Sequence, residues 1–209
     1  MDNSKNSKVK SIISFPNTYV VIDVETTGRS PSYDEIIEFA AVKICTDKIT
    51  DSFSSLVRPT RTVSSFITGL TGITNEMLTT APDISSVLPK FINFLGDNIL
   101  VGHNINYDIN FINASTKKYN LQPLTNDFVD TLRIFRKLHP ELDHHRLMDL
   151  SNIYNIDYSD AHRSLADCEI TYKCFCALAK EVIEKYKTTE EFIKCFKATN
   201  LSHKLRASD

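Results

Sequence analysis

Tyr19 to Val24 (YVVIDV) is a short apolar, β-branched run, the pattern of a buried strand, and Ile36 to Ile44 (IIEFAAVKI) and Ile49 to Val57 are two further strand-like runs. Thr46-Asp47-Lys48 separates the last two as a turn, so the three read as a β-meander. The periodicity then changes. Ile84, Val87, Leu88, Phe91, Ile92 and Leu95 recur at spacings of three and four, which marks an amphipathic helix, and Gly96-Asp97 closes it. Asn98 to Gly102 is a short buried strand, Ile109 to Tyr119 a helix and Phe128 to Asp130 a strand; Thr131 to Leu138, Leu147 to Tyr154 and Leu165 to Val182 are further helices. A meander followed by alternating helix and strand calls for a mixed sheet with helices on its faces. The expectation is an α/β chain with a five-stranded central sheet.

At 209 residues the chain is one domain with short ends. Residues 1–17 read as a flexible leader, 18–183 as the domain and 184–209 as a helical extension or tail that could dock a partner. No apolar run is long enough to cross a membrane, and Ile12, Ile13 and Phe15 make too short a run for a signal peptide. The five cysteines are odd in number and lack a C-x-x-C, so reduced thiols in a cytoplasmic protein are expected. Cys168, Cys174 and Cys176 read as small core residues of a helix. The 24 Lys+Arg and 26 Asp+Glu leave a net charge of −2, which argues against a grip on nucleic acid by bulk positive charge.

Chemistry gathers at three places. Asp23-Val24-Glu25 ends the first strand, and residues two apart in a strand share a face. Two carboxylates side by side repel, and a divalent cation with oxygen ligands relieves the repulsion. Taken alone, the pair also fits a solvated strand end. Thr26-Thr27-Gly28 follows, where glycine allows a turn and a close backbone approach to a ligand. The second place is His103-Asn104 through Asp108, where a strand passes into a helix; Asp108 equally fits a first-turn acid that complements the helix dipole. The third is His162 through Asp167. Five residues on one helix turn two side chains about 140° apart, so both reach one site only if His162 precedes the helix. Ser164 with Asp167 fits the S-x-x-D pattern of a helix start.

Taken together, a D-x-E on the first strand, an Asp after a later strand and an H-x4-D opening a late helix resemble the DEDD superfamily of 3′→5′ exonucleases. The branch is the one with histidine in its third motif, which includes the proofreading subunits of bacterial replicative polymerases. The resemblance runs from about Tyr19 to Leu178 and takes in Thr71-Gly72-Ile73-Thr74, Ala81-Pro82, Val129-Asp130-Thr131-Leu132 and Leu147 to Leu150. Thr71 stands where many members carry histidine, and Ser164 where the third motif carries alanine.

The resemblance implies a ribonuclease H-like α/β/α fold and hydrolysis with two divalent cations, Mg²⁺ or Mn²⁺, about 3.5–4 Å apart. It assigns Asp23, Glu25 and Asp167 to the nucleophile-side metal, Asp23 also to the second metal with Asp108 assisting, and His162 to the general base. Thr26, Thr27, Gly28 and Asn104 would meet the terminal nucleotide. The expected partners are single-stranded 3′ ends, DNA favoured over RNA, and a DNA polymerase. Arg133, Arg136, Lys137, His144, His145 and Arg146 are candidate phosphate contacts, or else a solvated helix face. The rival readings are an RNA-trimming enzyme of the same superfamily and a non-catalytic, polymerase-associated binding subunit.

Overall fold

The computed structural model of the protein describes residues 9–159 and 163–196. The strands are β1 (Ser11–Ile12), β2 (Thr18–Thr26), β3 (Ile36–Cys45), β4 (Lys48–Leu56), β5 (Leu100–Gly102) and β6 (Phe128–Asp130). The helices are α1 (Ser65–Thr71), α2 (Asn75–Thr79), α3 (Ile84–Leu95), α4 (Asn106–Lys118), α5 (Thr131–Leu138), α6 (Leu147–Ile153) and α7 (Ser164–Tyr186). Residues 189–196 are also helical.

The sheet runs β1-β6-β5-β2-β3-β4. The meander is antiparallel, while β5, β6 and β1 add in parallel on the other side of β2. The β3–β4 connection is tight because Thr46 and Asp47 both take positive φ, 49° and 58°, as the twist of a two-residue hairpin requires.

Alternation along β2 builds two cores. Val20, Ile22 and Val24 pack with Phe39, α3 (Val87, Leu88, Phe91) and α4 (Phe111, Ile112). Tyr19 and Val21 pack on the other face with α5, α6 and α7, through Phe135, Leu150, Cys168 and Phe175. This is the expected three-layer α/β/α arrangement. Burying a side chain such as Phe39 or Phe91 fully contributes about 1.5–3 kcal/mol each.

The sheet has six strands where five were expected. The sixth comes from the segment read as a flexible leader: Ser11 and Ile12 pair in parallel with Phe128 and Val129. Lys10 O accepts the Phe128 amide at 3.0 Å. Without this strand β6 would present an open edge, and Ile12, Ile13 and Phe15 would lose their cover against the core. At the other end, Phe192 is fully buried in the same core and packs against Tyr186, with ring centroids 5.0 Å apart and planes inclined by 60°.

The short helices α1 and α2 were not anticipated. Ser64 and Thr74 cap them by accepting from the Ile67 and Met77 amides, and a small cluster of Ile37, Val63, Ile67, Ile73 and Leu78 holds them down. Cys168 and Cys174 are buried, as expected of core residues, and Cys176 is partly buried.

Candidate active site

β2 is longer than its parallel neighbour. Only Val20 and Val21 pair with β5, which ends at Gly102. Beyond that point the even-numbered amides of β2 have no strand to meet. α4 fills the gap: Asp108, in its first turn, accepts the Val24 amide at 3.1 Å. On the opposite face Cys168 of α7 lies against β2, its thiol 3.7 Å from Val21 O. The next odd-numbered residues, Asp23 and Glu25, therefore emerge on the α7 side, where the first turn of α7 carries Asp167. One oxygen from each of Asp23, Glu25 and Asp167 lies within 4.8 Å of the others. Asp108 reaches the same strand end from the other helical layer.

These acids raise one another's proton affinity. Burial pushes Asp23 well above the usual carboxylate range, and Asp108, Glu25 and Asp167 add to it. Glu25 is pushed up to about 8 by burial and by Asp167, Glu38 and Asp108, with Arg163 as the opposing charge. Asp108 is raised to about 8 by burial, against the amides that bond it. Asp108 and Asp167 each sit at a helix N-terminus, where negative charge is favoured, but that does not offset four carboxylates. Ser164 adds a buried hydroxyl beside Asp23 that makes no hydrogen bond of normal geometry among the described residues. All the donors are hard oxygens, so the site fits a divalent cation of the Mg²⁺ class.

His162 lies outside the described residues. α7 begins at Ser164, with Arg163 rather than Ser164 as its N-cap. Ser164 is thus the first helical residue rather than the cap, and its amide donates to Glu38 Oε2 at 3.1 Å. Gly28 is needed for a different reason from the one expected: a Cβ there would come within 2.5 Å of the Asp34 carboxyl carbon, so that side of the loop is filled from within. The Thr26 hydroxyl bonds Gly28 O at 2.6 Å and shares a 2.7 Å contact with the Tyr107 phenol, while Thr27 Oγ1 accepts the Glu35 amide. Their side chains shape the loop, and its backbone is tied in as well: the Thr27 amide donates to Glu35 O, and Gly28 O accepts from the Thr26 and Tyr107 hydroxyls.

Asn104 takes a left-handed φ of 64°, fixed by its amide donating to Asp130 at 2.9 Å. Its exposed side chain borders a cavity of about 500 Å³ that Arg136, His144, His145 and Arg146 also line. Arg133 does not join them; it bonds Ser11 and lies over Phe196. His103 is an internal brace, contacting Thr131 Oγ1 and His145 O, and burial lowers its pKa to about 4. Thr71 is also turned inward, its hydroxyl donating to Ile67 O.

Sequence reasoning missed Glu38. It sits in β3 directly opposite Glu25, 1% exposed, inside a run read only as an apolar strand. A lone acid in such a run was the available signal.

The chain matches the family described as Exonuclease over residues 20–175. It is 44% identical over 168 residues to the PolC-type DNA polymerase III of Bacillus cereus, covering 80% of this chain and 12% of that protein. It is 40% identical over 169 residues to the DNA polymerase III subunit epsilon of Aquifex aeolicus, covering 81% of this chain and 84% of that one. The chain thus spans only a small part, 12%, of the PolC-type relatives it matches. Among solved structures it resembles Exonuclease X in complex with 5′ overhanging duplex DNA, with a TM-score of 0.61 and 27% identity over 83% of this chain and 96% of that one. The matched span opens within β2 and closes inside α7, the two elements that carry Asp23, Glu25 and Asp167, and the chain belongs to the exonuclease family.

Proposed function

We propose that this chain is a metal-dependent 3′→5′ exonuclease that releases nucleoside 5′-monophosphates from single-stranded or frayed DNA ends, in proofreading or repair. The observation that carries this reading is the meeting of Asp23, Glu25 and Asp167 within 4.8 Å in a chain of the exonuclease family. When bound, two Mg²⁺ or Mn²⁺ ions would activate the attacking water and offset the charge on the departing 3′ oxygen. Asp23, Glu25 and Asp167 would hold the nucleophile-side ion, and Asp23 with the assistance of Asp108 would hold the second. His162 takes the proton of the attacking water, which an imidazole can do near neutral pH. The loop at Thr26, Thr27 and Gly28, with the exposed Asn104 side chain, orients the terminal nucleotide.

DNA is favoured because the relatives are named as DNA polymerase III proteins and Exonuclease X was solved with DNA. A DNA polymerase is the proposed partner on the same ground, and the 184–209 segment is the proposed docking extension. Among the described residues no helix is long and apolar enough to cross a membrane.

Matched, labelled DNA and RNA single strands with Mg²⁺ test the reading. The wild type should trim DNA from the 3′ end faster than RNA. Asp23→Ala should lose both Mn²⁺ binding and trimming, while His162→Ala should keep Mn²⁺ binding and slow hydrolysis by about 10²–10⁴-fold. Undiminished trimming in both variants would refute the mechanism.

A further inference from the structure

Glu38 is a buried acid that the proposed chemistry does not use. It stands opposite Glu25 in the β2–β3 ladder, on the face turned toward α7. Like charges facing each other across a sheet are destabilising, and burial adds to the cost. The carboxylate is nonetheless fully engaged. Oε1 accepts from Arg163 Nη2 at 2.7 Å, Oε2 from Arg163 Nε at 3.3 Å, and Oε2 also takes the Ser164 amide at 3.1 Å. All three donors belong to the first two residues at the start of α7.

That helix start needs an external anchor. Its N-cap is Arg163, whose side chain has no acceptor to offer the first-turn amides, so α7 makes no side-chain cap of its own. Three residues on, the same turn carries Asp167 toward Asp23 and Glu25, whose charges repel it. A two-pronged guanidinium–carboxylate pair is directional as well as strong, so it fixes the rotation of the turn as well as its approach. It also leaves Arg163 beside Glu25, where it offsets part of the like charge.

We infer that Glu38 is a positioning residue: through Arg163 and the Ser164 amide it docks the first turn of α7 onto the sheet and so holds Asp167 against Asp23 and Glu25. This rests on the reading of those carboxylates as a cation site. Glu38 itself contributes no ligand; it sets the spacing of those that do.

The test uses the full chain. Mn²⁺ is titrated calorimetrically into the metal-free wild type, Glu38→Gln and Arg163→Met without nucleic acid, and kcat and KM are then measured on a labelled DNA single strand. Glu38→Gln still accepts the Ser164 amide but loses the charged grip on Arg163. Arg163→Met alters a side chain that is 46% exposed, so it covers the case in which the Glu38 variant fails to fold. Both should bind Mn²⁺ about 10-fold more weakly and lose about 10- to 100-fold in kcat, with KM within twofold of wild type. The double variant should be no worse than the more affected single one, because one device has been removed. Lowered melting temperature with wild-type Mn²⁺ affinity and kcat would overturn the inference, since it would show a purely structural ion pair. Unaltered behaviour in both variants would overturn it too. A wild type that neither binds Mn²⁺ nor trims DNA removes the proposed function first, and the positioning role with it.

Discussion

At its first turn α7 carries Asp167 into a group of carboxylates; about four turns later it carries Glu181 to a lysine, a histidine and a tyrosine. Glu181 Oε1 lies 2.6 Å from Lys185 Nζ, Oε2 is 3.1 Å from His139 Nε2, and the Tyr154 phenol also donates to it. Burial alone would raise the proton affinity of Glu181, but these donors outweigh it and hold the acid below its usual range. At the other end burial acts in the same direction and the neighbouring acids reinforce it at Asp23 and Glu25, while at Asp108 burial outweighs the amides that bond it, so all three rise. The lesson is one of completeness. A recessed acid with donors around it is finished as part of the scaffold. Recessed acids that face one another need positive charge from outside the chain.

The largest expected effect separates the two ends by what each loss removes. Asp167→Asn should cut hydrolysis by on the order of 10³-fold while leaving the melting temperature of the metal-free protein unchanged or higher, because one repelling charge is gone. Glu181→Ala should do the reverse. It should cost about 1–3 kcal/mol in thermal or urea unfolding with kcat within twofold of wild type. Equal stability losses at both ends would break the contrast.

The next effect is a pH dependence of opposite sign. Glu25 and Asp108 have folded values near 8, above their ordinary 4.5 and 3.8. The folded, metal-free protein therefore binds protons that the unfolded chain has released. Their contribution is fully present below about pH 4 and is lost as pH rises through about 8. Glu181 is lowered, so its contribution is present above about pH 4.5 and is lost on acidification. Melting curves in chelator should show a falling midpoint from pH 5 to 8, by a few degrees, and Glu25→Gln should flatten that fall. Added Mn²⁺ should raise the midpoint more at pH 8 than at pH 5, because protons compete with the ion.

The smallest effect lies in the basic cavity. Arg146 is already paired with Asp149 at 3.1 Å, and Asp143 lines the same wall. Arg136→Ala with Arg146→Ala should raise KM for a DNA single strand by about threefold and lower the salt dependence by about one unit of slope. An unchanged salt slope would mark these groups as a solvated face.

Much of this was legible because the physics is local. A continuous apolar run such as Tyr19 to Val24 reads as a central strand wherever it sits, and Asp23 with Glu25 share a face once that strand is granted. The 3.6-residue period of Ile84 to Leu95 needed no partner to be seen, and its bounds match α3. What escaped depends on distant residues. Ser11 and Ile12 become a strand only because β6 offers an edge 117 positions later, as the Ser11–Phe128 pairing shows. α1 and α2, seven and five residues long, exist through caps at Ser64 and Thr74 and through a small shared cluster, not through a long period. Glu38 was invisible as a structural hub because its partners, Arg163 and Ser164, lie about 125 residues away.

The bond from the Val24 amide to Asp108 has a practical consequence. This amide lies between Asp23 and Glu25 in sequence, and a carboxylate holds it where its strand neighbour has run out. Its nuclear magnetic resonance signal is therefore a local probe of the carboxylate cluster. It should move as Asp108 gains a proton or a cation, and its exchange with deuterated water should slow when the cluster is filled, giving a readout of occupancy in solution without substrate or turnover.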